Sequence, residues 1–355
     1  MISAKGDSIR VLVVDDSAFM RKMVSEILRQ APGIVVVGTA RDGVDAISMV
    51  EELKPDVITL DVEMPRMDGV TALRHIMTKF PTPVLMVSSL TQSGAKTTLK
   101  CLDLGAVDFV PKPSGAISLD IASQAQEIVD KVRAAAKCKL SEKNAPPRIV
   151  SVPNVSNLGR HKISTILIGC STGGPRALQT VIPALPRELG VPIVIVQHMP
   201  PSFTTGLADR LDQMSQLSVR EAVADDHLHG GEVLVAPGGR HLEFDGLGRC
   251  IISDAAPVNS VRPSVDVTLH SLLRSRGPRT LGIILTGMGS DGAAGMKALR
   301  DAGGTTFAED ESTCVVYGMP RAAIELGGVD RVLPLHMIPG AIVEVASQQS
   351  NSRIA

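Results

Sequence analysis

The amino-acid sequence predicts two doubly wound α/β domains, each built around a mainly parallel β-sheet. Short β-branched runs alternate with helix-length amphipathic stretches from residue 10 onward. Near-continuous apolar strands separated by helices are typical of parallel sheets covered on both faces. The length of 355 residues also favours two domains over one. A stretch rich in Pro, Asn and Ser, residues 140–162, separates the two alternating regions.

The first domain is predicted over residues 8–125. Its strands are expected at 11–14, 34–37, 57–60, 84–87 and 107–110. Each strand is followed by a helical pattern such as SAFMRKMVSEILRQ, and five such units make a complete small domain. A last helix is expected near 118–138, so residues 126–162 are assigned to the end of this helix and a linker. The alternative is an ordered loop packed between the domains.

The second domain is predicted over residues 163–350, where the alternation resumes. Parallel strands are expected at 165–168, 192–196, 232–235, 281–285 and 305–308. The segment HLEFDGLGRCIISD at 241–254 instead has two β-type runs around Asp-Gly, which favours a hairpin. We therefore expect a larger, Rossmann-like domain that carries one antiparallel hairpin.

Composition excludes several classes of function. A net charge of −1, no Trp and one Tyr argue against nucleic-acid binding, which needs excess basic charge and exposed aromatic rings. Five scattered cysteines without a C-x-x-C pair indicate reduced thiols and a cytoplasmic protein. The N-terminus lacks the apolar region of a signal peptide, and no apolar window reaches 18 residues, so no membrane insertion is expected.

Polar side chains mark the strand ends of the first domain. Asp15 and Asp16 close its first strand, and Asp61 closes the third. Carboxyl ends of parallel strands meet along one edge, where three carboxylates repel one another unless a cation such as Mg²⁺ lies between them. Ser88 and Lys112 follow the fourth and fifth strands and add a hydroxyl and a cation. The simpler alternative is that the aspartates only cap the following helices.

This set resembles the receiver domain of bacterial response regulators. DD at 15–16, LDVEMPRMDG at 60–69, SS at 88–89 and KP at 112–113 stand in the order and spacing of that family. The resemblance implies that a histidine kinase phosphorylates Asp61. It also implies that Asp16 and Asp61 hold Mg²⁺, with Asp15 acting largely through water. Phe109 occupies the aromatic position that responds to Ser88 in the family.

In the second domain, three polar residues from distant segments are expected at one edge of the sheet. Ser171 lies in a G-x-S-x-G turn after a strand, a geometry that exposes a nucleophilic hydroxyl. His198 follows the strand at 192–196 and could act as its base. Asp291 lies beyond the strand at 281–285 and could orient the imidazole. Glycines around Met288 expose backbone N–H groups that could stabilise an oxyanion.

Two alternatives remain open from the residues themselves. Gly-x-Gly-x-x-Gly at 287–292, with Glu309 and Asp310 about twenty residues later, also fits a dinucleotide-binding turn. The carboxylate of Asp291 argues against it, because this residue lies in the turn that would hold a pyrophosphate. In the chain order of α/β-hydrolases, where histidine comes last, His336 would replace His198 as the base.

Residues 163–350 resemble the catalytic domain of the CheB family of chemotaxis protein-glutamate methylesterases. The matching segments are GCSTGGP at 169–175, VQHMPPSFT at 196–204, VAPGGRH at 235–241, RPSVDVTL at 262–269 and TGMGSDGA at 286–293. The resemblance implies a Ser171, His198 and Asp291 triad that needs no cofactor for ester hydrolysis. It also implies Met288 N–H as an oxyanion donor and Thr172 as a neighbour of the serine. Cys170 replaces the family's common alanine and is expected to be buried and inert.

The implied substrates are methylated glutamates and glutamines of methyl-accepting chemoreceptors, and the implied phosphodonor is a chemotaxis histidine kinase. We expect the unphosphorylated receiver to cover the catalytic cleft and phosphorylation of Asp61 to expose it. One rival is a phosphorylation-dependent scaffold whose second domain only binds a partner. A DNA-binding regulator is disfavoured because no basic helix-turn-helix pattern follows the linker.

Overall fold

The computed structural model describes residues 8–89, 91–112, 120–138 and 161–347. The chain divides into two compact units, Met1–Lys143 and Asn144–Ala355. Except for residues 161 and 162, the predicted linker at 140–162 lies outside the described residues. Within the part of the chain that is described, no helix is both long and apolar enough to cross a membrane.

The first unit is a five-stranded parallel sheet in the order β2-β1-β3-β4-β5, as in flavodoxin-like folds. Its strands are β1 Ile9–Val14, β2 Ile34–Ala40, β3 Val57–Asp61, β4 Val84–Ser88 and β5 Asp108–Pro111. Its helices are α1 Ala18–Gln30, α2 Gly43–Leu53, α3 Gly69–Lys79, α4 Gln92–Asp103 and α5 Asp120–Lys137. The prediction of a parallel α/β domain is confirmed. β3 and β4 are buried along their whole length, which explains their uninterrupted apolar character.

The second unit contains a seven-stranded parallel sheet and a separate hairpin. The sheet has the order β14-β13-β12-β6-β7-β9-β8, and the hairpin pairs β10 with β11. The strands are β6 Thr165–Cys170, β7 Ile193–Gln197, β8 Ser218–Glu221, β9 Glu232–Val235, β10 His241–Phe244, β11 Cys250–Ser253, β12 Thr280–Ile284, β13 Thr305–Glu309 and β14 Arg331–Leu333. The helices are α6 Gly174–Val181, α7 Phe203–Met214, α8 Val265–Arg276, α9 Ala293–Asp301, α10 Met319–Glu325 and α11 Ile338–Ser347. The predicted parallel sheet with an antiparallel hairpin is confirmed.

The chain builds the second sheet outward from β6 in two directions. The chain adds β7, β9 and β8 on one side of β6, then returns to add β12, β13 and β14 on the other side. The strand order therefore reverses between β6 and β12. In open α/β sheets, ligands bind beyond the carboxyl ends of the strands at such a reversal. Ser171 follows β6, and Asp291 lies in the loop after β12.

Candidate active site and phosphorylation site

The turn after β6 fixes the backbone of Ser171 against the end of β12. Ser171 N–H donates to Thr286 O at 3.0 Å, and Gly173 has a φ of 80° just before α6 begins. This left-handed conformation favours glycine and allows the sharp strand-to-helix turn. A Cβ on Gly287 would lie 2.9 Å from Ser171 Cβ, so glycine is required for the two strand ends to approach this closely.

His198 stands on the neighbouring strand end and is bonded to the predicted carboxylate. It follows β7 directly, and its backbone N–H donates to Cys170 O at 3.1 Å. Its Nε2 lies 2.8 Å from Asp291 Oδ2. This pairing leaves Nδ1 as the ring nitrogen available to Ser171. Among the described residues, Ser171 Oγ makes no hydrogen bond, so the structure joins His198 to Asp291 but not to the serine. Such nucleophile–base contacts often tighten only when substrate binds.

The beginning of α8 holds Asp291 in its ionised form. Val265 N–H donates to Oδ2 at 2.6 Å, and Ser264 Oγ donates to Oδ1 at 2.7 Å. Backbone N–H groups at a helix N-terminus stabilise an anion. Burial opposes ionisation of Asp291, but the bonds from His198, Ser264 and Val265 outweigh it and lower the pKa of this carboxyl. Asp291 can therefore remain a carboxylate beside the imidazole.

A side chain that sequence reasoning missed ties the two strand ends together. Gln197 Nε2 donates to Ser171 O at 2.9 Å and to His198 O at 3.1 Å. Gln197 Oε1 accepts from Cys170 Sγ at 3.0 Å. Gln197 is buried, and in the sequence it is only a polar residue at the end of an apolar strand. Cys170 is also buried, as expected, and burial raises the pKa of its thiol.

Two backbone N–H groups near Ser171 are free to act as oxyanion donors. Met288 and Thr172 donate no backbone hydrogen bond within the part of the chain that the structure describes. Their turns are otherwise fixed: Thr286 Oγ1 donates to Thr172 O at 2.9 Å, and Met319 N–H donates to Gly287 O at 2.8 Å. That these two groups bind an oxyanion stays a prediction.

The structure does not favour the two alternatives for this domain. Glu309, the acidic residue that a dinucleotide would need, is fully buried and accepts from Thr286 N–H at 2.8 Å. Asp291 lies inside the glycine-rich turn and is bonded to α8. His336 lies in a 3-10 turn, Leu335–Met337, after β14, and two strands, β13 and β12, lie between β14 and β6 in the sheet. Neither Ser171 nor Asp291 has a hydrogen bond to it among the described residues.

The structure brings the predicted phosphorylation residues of the first unit together. Carboxylate oxygens of Asp15, Asp16 and Asp61 lie within 4.8 Å of one another. Lys112 Nζ is 2.7 Å from Asp61 Oδ2 and 3.3 Å from Asp15 Oδ2. Burial, together with the charge of Asp15, raises the pKa of Asp61 to about 6 even though Lys112 opposes this. Ser88 ends β4, the strand next to β3, and its Oγ accepts a hydrogen bond from Thr98 Oγ1 at 2.7 Å.

The donor set of this pocket fits a magnesium ion. Three carboxylates face one lysine, so negative charge exceeds positive charge, and all the available ligand atoms are oxygens. Asp15 Oδ2 is buried and has no hydrogen-bond partner, although the ammonium of Lys112 lies 3.3 Å away. An oxygen with this environment can accept a cation or a cation-bound water. Asp16, which with Asp61 is predicted to hold the ion, is exposed at the same edge.

Phe109 is only 2% exposed, and the ammonium of Lys131 lies over the face of its ring. Lys131 Nζ lies 5.3 Å from the ring centroid and donates to Phe109 O at 2.7 Å. The same ammonium pairs with the buried Asp108 at 3.4 Å. The ring is therefore held in the core beside β4 and β5. Its response to Ser88 stays a prediction.

Comparisons with known proteins agree with both units. The receiver domain of response regulators matches residues 11–123, and the CheB methylesterase domain matches residues 166–342. These matches define the class: a response regulator whose second domain is an enzyme. A protein-glutamate methylesterase/protein-glutamine glutaminase of Symbiobacterium thermophilum is 52% identical over 96% of this chain and 98% of its own length. The corresponding protein of Archaeoglobus fulgidus is 48% identical over 97% and 100%.

A solved structure supports the fold of the second unit. The Thermotoga maritima CheB methylesterase catalytic domain is 44% identical, covers 52% of this chain and all of its own chain, and superposes with a TM-score of 0.50. The chain belongs to the CheB methylesterase family.

Proposed function

We propose that this protein hydrolyses the γ-methyl esters of glutamate side chains, and the side-chain amides of glutamine, on bacterial chemoreceptors. The family and the relatives named above support this choice of substrate. The observation that carries the catalytic assignment is the 2.8 Å contact between His198 Nε2 and Asp291 Oδ2 on the strand end next to Ser171. The buried, ionised Asp291 can stabilise the imidazolium that forms when His198 takes a proton.

In the proposed mechanism, Ser171 Oγ attacks the γ-carbonyl carbon while His198 Nδ1 takes the hydroxyl proton. The backbone N–H groups of Met288 and Thr172 stabilise the oxyanion of the tetrahedral intermediate. His198 then protonates the leaving methanol, or ammonia for an amide, as the glutamyl-enzyme forms. A water molecule, deprotonated by His198, releases glutamate and restores Ser171. These steps require no cofactor.

We further propose that phosphorylation of Asp61 by a chemotaxis histidine kinase controls this activity. Asp16 and Asp61 would hold Mg²⁺, which would neutralise charge on the transferred phosphoryl group. Lys112 already lies 2.7 Å from Asp61 and can contact a phosphoryl oxygen at the same place. The phosphorylated receiver would favour an arrangement of the protein in which the catalytic cleft is open to the receptor. A cytoplasmic location is part of the same proposal.

Methanol release from methylated receptor membranes tests the catalytic assignment. Ser171→Ala in the full chain should reduce the rate by at least about 10³-fold. Ser215→Ala, at the end of α7, is the matched control and should retain full activity. If Ser171→Ala releases methanol at the wild-type rate, Ser171 is not the nucleophile. If the wild type binds the membranes but releases no methanol, the scaffold alternative is favoured.

A second comparison tests regulation. A small-molecule phosphodonor with Mg²⁺ should accelerate methanol release by the wild type and leave Asp61→Asn unaffected. Equal acceleration of both proteins would show that Asp61 is not the phosphoacceptor that controls the enzyme.

A further inference from the structure

A tight turn next to the catalytic site brings an unassigned side chain to Asp291. Val258 and Val261 exchange both backbone hydrogen bonds, at 3.2 and 3.0 Å, so residues 259 and 260 form a two-residue hairpin turn. Asn259 and Ser260 have φ values of 52° and 63°. Two consecutive left-handed residues are typical of a type I′ turn, in which asparagine is favoured at the first position.

The side-chain amide of Asn259 bridges two buried carboxylates. Its Nδ2 donates to Asp266 Oδ2 at 3.0 Å and to Asp291 Oδ1 at 3.1 Å, so each amide hydrogen has a carboxylate acceptor. Asp266 is 7% exposed and Asp291 is 3% exposed. Two buried carboxylates that accept from the same amide group repel each other when both are ionised. The amide of Asn259 supplies a donor to both of them.

The other contacts of Asp266 keep it beside the catalytic carboxylate. Its Oδ1 accepts from Gly295 N–H at 2.7 Å, which anchors it to the first turns of α9. Burial raises the pKa of Asp266, and the charge of Asp291 adds to this effect. Asn259 therefore offsets a repulsion that would otherwise act directly on Asp291.

We propose that Asn259 is a positioning residue for hydrolysis: it bridges Asp291 and Asp266 so that Asp291 Oδ2 stays directed at His198. This inference rests on the proposed function, since it assumes that Asp291 and His198 act in catalysis. The turn that carries Asn259 is exposed, whereas its two acceptors are buried. The amide of Asn259 therefore lies on the solvent side of the carboxylate pair.

Among the described residues, His198 and Asp266 are the titratable groups in hydrogen-bond contact with this carboxylate, and Glu243, His270 and Arg274 line the cavity beside Asn259 and Asp266. His198 approaches Asp291 from the end of β7, and Asp266 approaches from α8. His241, on β10, reaches the site only indirectly, because its Nδ1 accepts from the backbone N–H of Ser264 at 3.2 Å. A change at residue 259 should thus be read out in the ionisation of His198.

Asn259→Gly removes the amide and keeps the backbone conformation, because glycine adopts positive φ without strain. Asp291 Oδ1 then loses the hydrogen bond that the amide of Asn259 donates. A less compensated Asp291 attracts a proton on His198 more strongly, so the acid limb of kcat/KM should move to higher pH. The loss of one hydrogen bond to a charged group corresponds to a decrease in kcat of about tenfold, with KM changed less than twofold. Asn259→Asp keeps the size and the turn but adds a third carboxylate, so its shift should be larger.

Ser260→Gly is the matched control. Ser260 is the adjacent left-handed residue, it is exposed, and it has no hydrogen bond to the site among the described residues. Its replacement should leave the pH profile and kcat unchanged.

The experiment measures methanol release by the full chain between pH 5 and 9, in the presence of phosphodonor, for the wild type, both Asn259 variants, Ser260→Gly and Ser171→Ala. Thermal unfolding of each protein checks that it is folded. A lower kcat with a displaced acid limb for both Asn259 variants, and neither change for Ser260→Gly, supports the inference. Wild-type kcat in Asn259→Gly, or a uniform loss at every pH without displacement of the limb, overturns it while the proposed function stands. Wild-type activity in Ser171→Ala instead overturns the proposed function.

Discussion

Asp61→Asn should stabilise the first unit at neutral pH when divalent cations are absent. Asp61 is 1% exposed, and its pKa is raised from 3.8 to about 6. A carboxyl with a raised pKa binds its proton more tightly in the folded chain than in the unfolded chain. The unit therefore loses stability as the pH rises from about 4 to about 6, and the full cost is present above that window.

The size of the effect follows from the interval between the two pKa values. A rise from 3.8 to about 6 corresponds to about 3 kcal/mol of unfolding free energy. The attraction of Lys112 at 2.7 Å already offsets part of the burial cost, so this figure is a net one. Asparagine has nearly the same volume, carries no charge and retains an oxygen acceptor for Lys112. We expect Asp61→Asn to unfold with a free energy larger by up to about 3 kcal/mol at pH 7.5 and by almost nothing at pH 4.

Amide hydrogen exchange followed by mass spectrometry measures this difference in the full-length chain. With EDTA present, peptides spanning β1 and β3 report the free energy of unfolding after correction for the intrinsic exchange rate at each pH. Asp130→Asn is the matched control, since Asp130 on α5 is partly exposed and forms a long ion pair with Arg133, at 3.8 Å. This control should change the free energy by less than about 1 kcal/mol. Equal protection of the wild type and Asp61→Asn at pH 7.5, or a difference that persists at pH 4, would refute the reasoning.

Three further predictions concern the catalytic unit. Cys170→Ala should keep activity within a few-fold of the wild type, and the native thiol should resist iodoacetamide, because burial raises its pKa. Gln197→Leu should lower kcat more than tenfold and lower the melting temperature, since the buried carbonyls of Ser171 and His198 lose a donor. Gly174→Ala should have the same effect, because its Cβ would lie 2.0 Å from Gln197 Oε1, whereas Gly340→Ala meets no atom within 4 Å and should stabilise α11 slightly. Ester hydrolysis and thermal unfolding check all of these variants, and full activity in Gln197→Leu would contradict its assigned contacts.

The fold was predictable because its dominant signal is local. Buried parallel strands must be apolar throughout, so β3, β4 and β6 are visible in the sequence as short β-branched runs. Two strands of the second sheet were missed. β8 reads SVRE and is only partly buried, and β14 has three residues, so neither contains a recognisable apolar run. Edge strands such as these are defined by their pairing partners, which a local pattern does not contain.

The sites were predictable only in part, for a related reason. Residues at the carboxyl ends of parallel strands share one edge, so Ser171, His198 and Asp61 could be placed there from the sequence. Gln197 and Asn259 could not. Their roles depend on where two amide nitrogens point after folding, and a glutamine at a strand end or an asparagine in a turn has many ordinary explanations. Among the described residues, the hydrogen bonds made in the folded chain distinguish these two amides from ordinary ones.

Each unit has a buried carboxylate at the carboxyl edge of its parallel sheet, Asp61 at the end of β3 and Asp291 in the loop after β12, and the pKa values of the two are shifted in opposite directions. Asp291 accepts hydrogen bonds from the N-terminus of α8 and from a hydroxyl and contacts an imidazole, and its pKa is lowered despite burial. Asp61 contacts one lysine and lies beside a second carboxylate, and burial raises its pKa to about 6. A carboxylate that must stabilise an imidazolium through every turnover needs compensation that is always present. A carboxylate that binds a cation and accepts a phosphoryl group needs less permanent compensation. The bound cation supplies the remaining positive charge when phosphorylation takes place. The opposite pKa shifts thus fit a permanent catalytic role for Asp291 and a switching role for Asp61.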